Sequence, residues 1–191
     1  MTGIILAGGN NSRMGMKKAF LSVSGVRIID HTLDVFREIF QEIIIVTNTP
    51  ADFETFGVKV VTDRIKGKGP LGGLYTGLSE ARFERCFIAA CDMPFLNGRL
   101  IRYMTGITGY DVVVPMVRGR YEPLFACYSR KCAGYAMKQI KNGNLKIIDI
   151  FPWAGVRVID EDEMRKFDAD LESLININTR EELSSLSHKE T

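Results

Sequence analysis

Residues 3–18 have the sequence Gly-Ile-Ile-Leu-Ala-Gly-Gly-Asn-Asn-Ser-Arg-Met-Gly-Met-Lys-Lys. The apolar run from Gly3 to Ala7 ends in a glycine pair, which predicts a buried strand followed by a tight loop. Such a loop lets backbone N–H groups approach phosphate oxygens, and Arg13 and Lys18 can neutralise phosphate charge. Neither G-x-G-x-x-G nor G-x4-G-K-[ST] occurs in it, so both common phosphate motifs are excluded. A glycine-rich turn with surface lysines is the alternative.

Outward from this stretch, apolar runs alternate with helical patterns. Further strands are predicted at Glu42 to Thr47, Lys59 to Thr62, Cys86 to Ala90 and Asp111 to Pro115, with weaker patterns at Leu124 to Tyr128 and Val156 to Ile159. Apolar residues recur at helical spacing between Ile28 and Phe40 and again from Leu71 to Ala81. Strands that are apolar on both faces and separated by helices predict a doubly wound α/β fold, with a mostly parallel sheet and helices on both faces. In this fold ligands bind beyond the carboxyl ends of the strands, so we expect the chemistry in the loops after Ala7, Thr62 and Ala90.

Composition and charge exclude several classes of protein. The 191 residues are 46% apolar and 25% charged, which excludes a disordered or collagen-like chain. The 25 Lys and Arg residues against 23 Asp and Glu residues give a net charge of +2, and the basic cluster from Arg64 to Lys68 is short. We therefore expect no nucleic-acid partner. No apolar run is long enough to span a membrane and no signal-peptide pattern occurs, so we expect no membrane partner and a cytoplasmic location.

The four cysteines form two C-x4-C pairs, Cys86 with Cys91 and Cys127 with Cys132. This spacing is compatible with a zinc site. Cys86 and Cys91 bracket a predicted strand, however, which would separate their side chains. Free thiols are the preferred interpretation, with a zinc site and a single disulfide as alternatives.

The complete string L-A-G-G-x-x-S-R-M-G-x-x-K after a first strand resembles the signature of the molybdenum cofactor guanylyltransferases, which attach GMP to molybdopterin. The signature has an aspartate before its last lysine. Here Lys17 stands in that place, whereas Lys18 keeps the family's lysine. The resemblance implies a catalytic role for Arg13 and Lys18. It implies nucleotide contacts for Leu6, Ala7, Gly8, Gly9 and Lys18.

Three further segments match the family in its order. They are Val61-Thr62-Asp63 with Gly69-Pro70-Leu71-Gly72-Gly73-Leu74, then Ala90-Cys91-Asp92-Met93-Pro94, and finally Ile175-Asn176-Ile177-Asn178-Thr179 with Glu181-Glu182-Leu183, where Arg180 replaces a proline. The resemblance spans residues 3 to 183. It implies a single nucleotidyltransferase domain over residues 1–191, with a nucleotide-binding half at about 1–95, an acceptor-binding half at about 96–183 and a frayed tail at 184–191.

Asp92 follows the predicted strand at Cys86 to Ala90, where a carboxylate would face the ligand crevice. Carboxylate and phosphate oxygens are the ligands that Mg²⁺ prefers. We therefore expect Asp92 to bind Mg²⁺, to contact the nucleotide and to act in catalysis. The alternative is that Asp92 caps a helix beginning near Asn97.

The resemblance also implies that Asn48, Asp63, Gly69 and Gly72 contact the nucleotide. Each has a structural alternative. Asn48 could be a turn residue, and Asp63 could cap a helix or pair with Arg64. The two glycines, with Gly73, could simply permit tight packing at a helix start.

Asn176 and Asn178 alternate in an extended segment, which places both side chains on one side. The resemblance implies that they bind the acceptor or its metal. The alternative is that they form a turn before a last helix capped by Thr179.

Taken together, the resemblance implies transfer of GMP from GTP to the molybdopterin form of the molybdenum cofactor, with pyrophosphate released and the guanine dinucleotide form produced. It implies transient contact with proteins that synthesise or receive the cofactor. A cytidylyltransferase or a sugar-phosphate nucleotidyltransferase is the nearest alternative. A non-catalytic nucleotide-binding module on the same fold is the alternative from another class.

Overall fold

The computed structural model describes residues 1–8, 18–23 and 25–177. Within these ranges the strands are β1 (Thr2–Leu6), β2 (Ser22–Val23), β3 (Val26–Arg27), β4 (Glu42–Val46), β5 (Lys59–Val61), β6 (Arg85–Ala90), β7 (Val112–Val117), β8 (Arg120–Tyr121), β9 (Phe125–Ser129) and β10 (Val156–Ile159). The α-helices are α1 (Ile28–Arg37), α2 (Gly69–Glu80), α3 (Gly98–Gly106), α4 (Cys132–Lys141) and α5 (Glu161–Arg165).

Eight of the described strands form one mixed sheet, in the order β10-β7-β9-β6-β1-β4-β5 with β8 paired to β7. Strands β6, β1, β4 and β5 are parallel, and β10 is parallel to β7. Only β9 and the short β8 run against their neighbours among these strands. The mostly parallel sheet is therefore confirmed. The sequence left the direction of β9 open, because a strand buried on both faces has the same pattern in either direction.

Both faces of the sheet are covered by helices, and the first strand shows how the sequence achieves this. Ile5 packs with Leu33 and Phe36 of α1 on one face, whereas Ile4 packs with Leu74 of α2 on the other. Successive strand residues point to opposite faces, so a continuous apolar run is needed where both faces are covered.

Several predicted boundaries differ from the observed ones. Helix α1 ends at Arg37 rather than near Phe40. Helix α2 begins at Gly69, whose φ of +55° is a left-handed conformation that suits glycine, and Pro70 follows in the first turn. Helix α4 was not predicted, because its apolar positions are spread among Gly, Ala and Lys residues. No helix of the described residues is both long and apolar enough to cross a membrane.

The carboxyl ends of β1, β4, β5 and β6 lie along one edge of the sheet because these strands are parallel. The chain turns direction across the sheet at β1, since β4 and β5 lie on one side of it and β6 on the other. The loops that follow these strands carry Gly8, Asn48, Asp63 and Asp92. The predicted site residues are thus brought to one edge of the sheet.

Candidate active site

Lys18 and Asp92 form an ion pair at the edge where β1 and β6 end. The Nζ atom of Lys18 lies 3.1 Å from Oδ2 of Asp92, and the two side chains are 18% and 21% exposed. A partly buried charge pair is screened less by water than an exposed one. The pair places a cation and a carboxylate where an incoming phosphate group can contact both.

Lys18 is positioned by a short 3-10 turn, Lys18–Phe20. Ala19 is buried at the centre of this turn, and the ring of Phe20 lies 5.1 Å from that of Phe53, centroid to centroid. The carbonyl of Lys18 accepts a hydrogen bond from the Leu21 amide. The lysine therefore extends from an anchored backbone.

Asp92 is held by backbone hydrogen bonds on both sides of its loop. The Cys91 amide donates to the carbonyl of Leu6 over 3.1 Å, and the carbonyl of Asp92 accepts from the Ile177 amide over 2.9 Å. Ile177 is fully buried, so this second bond fastens residues 175–177 to the Asp92 loop. Asn176, predicted to bind the acceptor, is next to that bond.

The alternative in which Asp92 caps the following helix is wrong. The side chain of Asn97 caps α3 by accepting hydrogen bonds from the amides of Arg99 and Leu100. The Asn97 side-chain amide also donates to the carbonyl of Phe167 over 3.0 Å. The Asp92 carboxylate points to Lys18 instead.

A cavity of about 440 Å³ opens beside this pair, between the ends of β1, β4 and β5 and the start of α2. Its lining consists of Leu6, Gly8, Val46, Asn48, Asp63, Gly67, Gly69, Pro70 and Gly73. This volume is in the range of small-molecule sites. Leu6 joins the cavity to the ion pair, because its side chain lines the cavity and its carbonyl holds the Asp92 loop.

Asp63 is the charged group of the cavity. Its Oδ2 accepts a hydrogen bond from Nδ2 of Asn48 over 3.3 Å, whereas its buried Oδ1 has no hydrogen-bond partner in the described chain. Burial raises the pKa of Asp63, and the side chains of Asn48 and Thr76 partly offset this. Asp63 therefore presents a partly buried carboxylate to the cavity, with Asn48 and Thr76 beside it.

The alternatives for Asp63 and Asn48 are not supported by the contacts of these residues. Arg64 pairs with Glu80 at 2.6 Å rather than with Asp63. Asp63 caps no described helix, since Lys68 is the residue that precedes α2. Asn48 turns its side chain towards Asp63 and the cavity.

The glycines of this region divide into two groups. A Cβ at Gly8 would lie 3.8 Å from Oδ2 of Asp63, and one at Gly73 would lie 3.8 Å from Oδ1, so both glycines leave room beside the carboxylate. A Cβ at Gly72 would instead lie 2.9 Å from Cβ of Lys68, and Gly72 is not part of the cavity lining. Gly72 therefore serves close packing, whereas Gly69 and Gly73 line the cavity.

Three lining residues, Val46, Gly67 and Pro70, were not assigned to the site from sequence. Pro70 lies inside the matched G-P-L segment, so that motif could have indicated it. Gly67 has a φ of +75° in the loop before α2, and no sequence signal distinguishes it from other turn glycines. The predicted residues Gly9, Arg13 and Asn178, together with Lys17, lie outside the described residues.

The donors around Asp92 are compatible with magnesium. In the described part of the chain no three His, Cys, Asp or Glu side chains form a metal-binding cluster. Mg²⁺ is commonly held by one or two carboxylates together with waters and substrate phosphates. Asp92, a single carboxylate at the carboxyl edge of the sheet, fits that pattern.

The four cysteines are free and buried, so the disulfide alternative is wrong. Burial raises the pKa of Cys86, Cys91 and Cys127 to about 12. Thiols of this kind are poor nucleophiles and poor metal ligands. They serve as small core residues.

A doubly wound sheet with a glycine-lined cavity and a cation–carboxylate pair at its carboxyl edge is typical of a nucleotide-binding α/β protein. The family model described as the MobA-like NTP transferase domain matches residues 3–150. The chain belongs to this family.

Similar proteins match nearly the whole chain. It is 40% identical to the molybdenum cofactor guanylyltransferase of Desulfosudis oleivorans, over 96% of this chain and 92% of that protein. It is 39% identical to the probable molybdenum cofactor guanylyltransferase of Pelotomaculum thermopropionicum, over 95% of this chain and 89% of that protein.

Solved structures agree with the fold. Molybdopterin-guanine dinucleotide biosynthesis protein A from Archaeoglobus fulgidus superposes with a TM-score of 0.84 at 28% identity, covering 98% of this chain and 97% of that one. The 2-C-methyl-D-erythritol 4-phosphate cytidylyltransferase of Thermus thermophilus has a TM-score of 0.70 at 14% identity, covering 96% of each chain. The second likeness concerns the fold alone.

Proposed function

We propose that this protein transfers GMP from GTP to the molybdopterin form of the molybdenum cofactor. The observation that carries the proposal is the Lys18–Asp92 pair beside the glycine-lined cavity. A phosphate oxygen of the acceptor attacks the α-phosphorus of GTP, the bond to the β-phosphate oxygen breaks, and pyrophosphate leaves. Full-length likeness to guanylyltransferases supports this choice of substrates.

The protein contributes mainly positioning and charge stabilisation, since phosphoryl chemistry needs little covalent help. The loop at Gly8 holds the nucleotide against the end of β1, and the Lys18 ammonium stabilises negative charge on the departing pyrophosphate. The Asp92 carboxylate would hold Mg²⁺, which when bound would neutralise negative charge on the phosphates of the nucleotide. Asn176, which precedes the residue that bonds to the Asp92 carbonyl, contacts the acceptor.

Asp63 supports guanine as the base. Guanine presents two adjacent donors, N1–H and the 2-amino group, which match a carboxylate. Asp63 presents its carboxylate to the cavity, where one oxygen accepts a hydrogen bond from Asn48. Cytosine presents an acceptor beside its amino group, and that acceptor would oppose the carboxylate. Because the reaction consumes GTP, a cytoplasmic metabolite, we place the protein in the cytoplasm.

Pyrophosphate release tests the function directly. The purified protein is given Mg²⁺ and each of the four NTPs in turn. Each mixture contains either the molybdopterin form of the cofactor as acceptor or buffer alone. We expect release with GTP that depends on the acceptor. Equal release with CTP and GTP would contradict the guanine assignment, and no release with any NTP would contradict the transferase itself.

A further inference from the structure

A second cavity, of about 490 Å³, lies at the same edge of the sheet. We call it the hairpin pocket because Val117, Arg118, Arg120 and Glu122, from the hairpin of β7 and β8, form one wall. Residues 161–171 form the other wall, through Glu161, Arg165, Asp170 and Leu171. Strands β6 and β7 are both antiparallel to β9, so their carboxyl ends share one edge. The hairpin pocket and Asp92 are therefore on the same side of the molecule.

Backbone pairing places Glu122 beside the Asp92 loop. The register of β6 and β9 pairs Ala89 with Phe125, and the next amide, that of Ala90, donates to the carbonyl of Leu124 over 3.0 Å. Asp92 lies two residues beyond this bond on one chain segment, and Glu122 lies two residues before it on the other. The nucleotide cavity lies on the β1 side of β6, so Glu122 is on the side left for the acceptor.

The second wall is also tied to Asp92. Leu171 lines the hairpin pocket. The segment from Leu171 to Ile177 is bound to the Asp92 loop at its far end, where the Ile177 amide donates to the Asp92 carbonyl. Midway, the Ser173 hydroxyl accepts a hydrogen bond from the Asn97 amide over 2.9 Å. The hairpin pocket is thus joined on both walls to the loop that carries Asp92.

Among the carboxylates of this pocket, Glu161 is paired and Asp170 is exposed, whereas Glu122 is half-buried and has unused hydrogen-bonding capacity. Its backbone is fixed, because its amide donates to the carbonyl of Pro115 and its carbonyl accepts from the Phe125 amide. Its side chain is half-buried, and no side chain of the described residues bonds to its carboxylate. Burial accordingly raises the pKa of Glu122 without a compensating partner. A ligand with N–H donors would restore the lost hydration.

The arginines of the pocket are not all committed to the carboxylates. Arg165 pairs with Glu161 at 3.6 Å, and the Arg118 amide donates to the same glutamate over 2.9 Å. The guanidinium groups of Arg118 and Arg120 form no ion pair with a carboxylate of the described chain. Arg118 also adopts a φ of +50° in the turn with Gly119, where Asn and Gly are preferred. Two exposed guanidinium groups without a carboxylate partner among the described residues thus line the pocket.

We propose that the hairpin pocket binds the pterin of the acceptor and that the Glu122 carboxylate accepts hydrogen bonds from its N3–H and 2-amino groups. This assignment rests on the proposed function, because it presumes a pterin acceptor. The pterin presents the two adjacent donors that a carboxylate matches, and its anionic side chain suits Arg118 and Arg120. Glu122 is then the residue that selects the acceptor, as Asp63 selects the base.

The test compares Glu122→Gln with the wild type and with Glu54→Gln, a control at an exposed glutamate of the loop between β4 and β5. Binding of a fluorescent pterin monophosphate is measured directly, and transfer kinetics are measured with GTP and molybdopterin. We expect Glu122→Gln to raise both the pterin Kd and the acceptor KM at least about tenfold, as loss of a charge-assisted pair does. The Kd for GTP and the behaviour of Glu54→Gln should not change.

The two proposals fail differently. Unchanged pterin affinity in Glu122→Gln, in a protein that transfers GMP, would overturn the role of Glu122 and leave the function intact. Pterin binding that depends on Glu122, in a wild type that transfers no GMP, would contradict the function and leave the pocket assignment standing. Because Gln has the size and shape of Glu, loss of folding is not expected. A circular dichroism spectrum checks this.

Discussion

The ammonium of Lys18 lies 3.1 Å from the carboxylate of Asp92, although the two residues are 74 positions apart in the chain. This contact joins the loop after β1 to the loop after β6. The first of these loops carries the glycine-rich signature, and the second carries the proposed metal ligand. The phosphates of a nucleotide held by the first loop are therefore within reach of the second.

Asp92→Asn should lower turnover by at least about 10²-fold at saturating Mg²⁺, because it removes the carboxylate that we propose to hold the ion. The fold should persist, since the backbone bonds to Leu6 and Ile177 do not involve the side chain. Pyrophosphate release and thermal unfolding measure the two effects. The exposed Asp162→Asn is the control, and full turnover in Asp92→Asn would exclude a catalytic role.

Lys18→Ala should also lower turnover by about 10² or more, as loss of a preorganised charge-stabilising donor does. Because Lys18 and Asp92 are in contact, the double variant should lose less than the product of the two single losses. Steady-state kinetics of the wild type, the two single variants and the double variant give the coupling energy between Lys18 and Asp92. Strictly multiplicative losses would show that the two side chains act independently.

Asp63→Asn should weaken GTP binding and stabilise the fold at neutral pH. The folded-state pKa of Asp63 is raised by burial, so its contribution to stability is present below the ordinary carboxyl pKa of about 4 and is lost as pH rises through the folded value. Asn avoids this loss because it has no charge. Thermal unfolding from pH 4 to pH 8 should show a widening advantage for the variant, and a constant difference would contradict this account.

Gly77→Ala should destabilise the protein by about 1–3 kcal/mol, the range for overpacking a core. A Cβ at this position of α2 would lie 2.6 Å from Cγ2 of Ile4 in β1. The matched control is Gly134→Ala in α4, where nothing lies within 4 Å of the added atom. The control should gain about 0.5–1 kcal/mol from helix propensity. Denaturant unfolding measures whether each variant lowers or raises the free energy of unfolding.

The four thiols should resist a thiol reagent in the native protein at pH 8, because burial keeps them protonated. All four should react once guanidinium has unfolded the chain. The absorbance of the chromophore that the thiol reagent releases gives the number of thiols that have reacted. Rapid reaction of any thiol without denaturant would show that the core around it opens.

The strands and the first two long helices were predictable because burial on one or both faces requires apolar residues at regular positions in the sequence. The apolar run from Ile43 to Val46 is such a pattern, and so is the spacing of apolar residues from Ile28 to Phe36. The direction of β9 has no corresponding pattern in the sequence. The start of α2 was moved by Gly69, whose left-handed φ belongs to a backbone turn that apolar periodicity does not report.

The site was predictable to the level of its motifs but not of its geometry. Gly72 and Gly73 match the family equally well, yet a helix turns by about 100° per residue, and only Gly73 faces the cavity. Likewise, both Asp92 and Asn97 are good capping residues by type. The actual cap depends on where α3 begins, which is set by contacts of Asn97 with Phe167 and Ser173 that lie about 70 residues away along the chain.

The bond between the Ile177 amide and the Asp92 carbonyl also bears on the timing of biosynthesis. A nascent chain of which only residues 1–160 have left the ribosome already contains every described strand of the sheet. It still lacks the segment that fastens the Asp92 loop. The Asp92 loop can therefore be fastened only after residues 175–177 have been synthesised, which is later than the strands of the sheet.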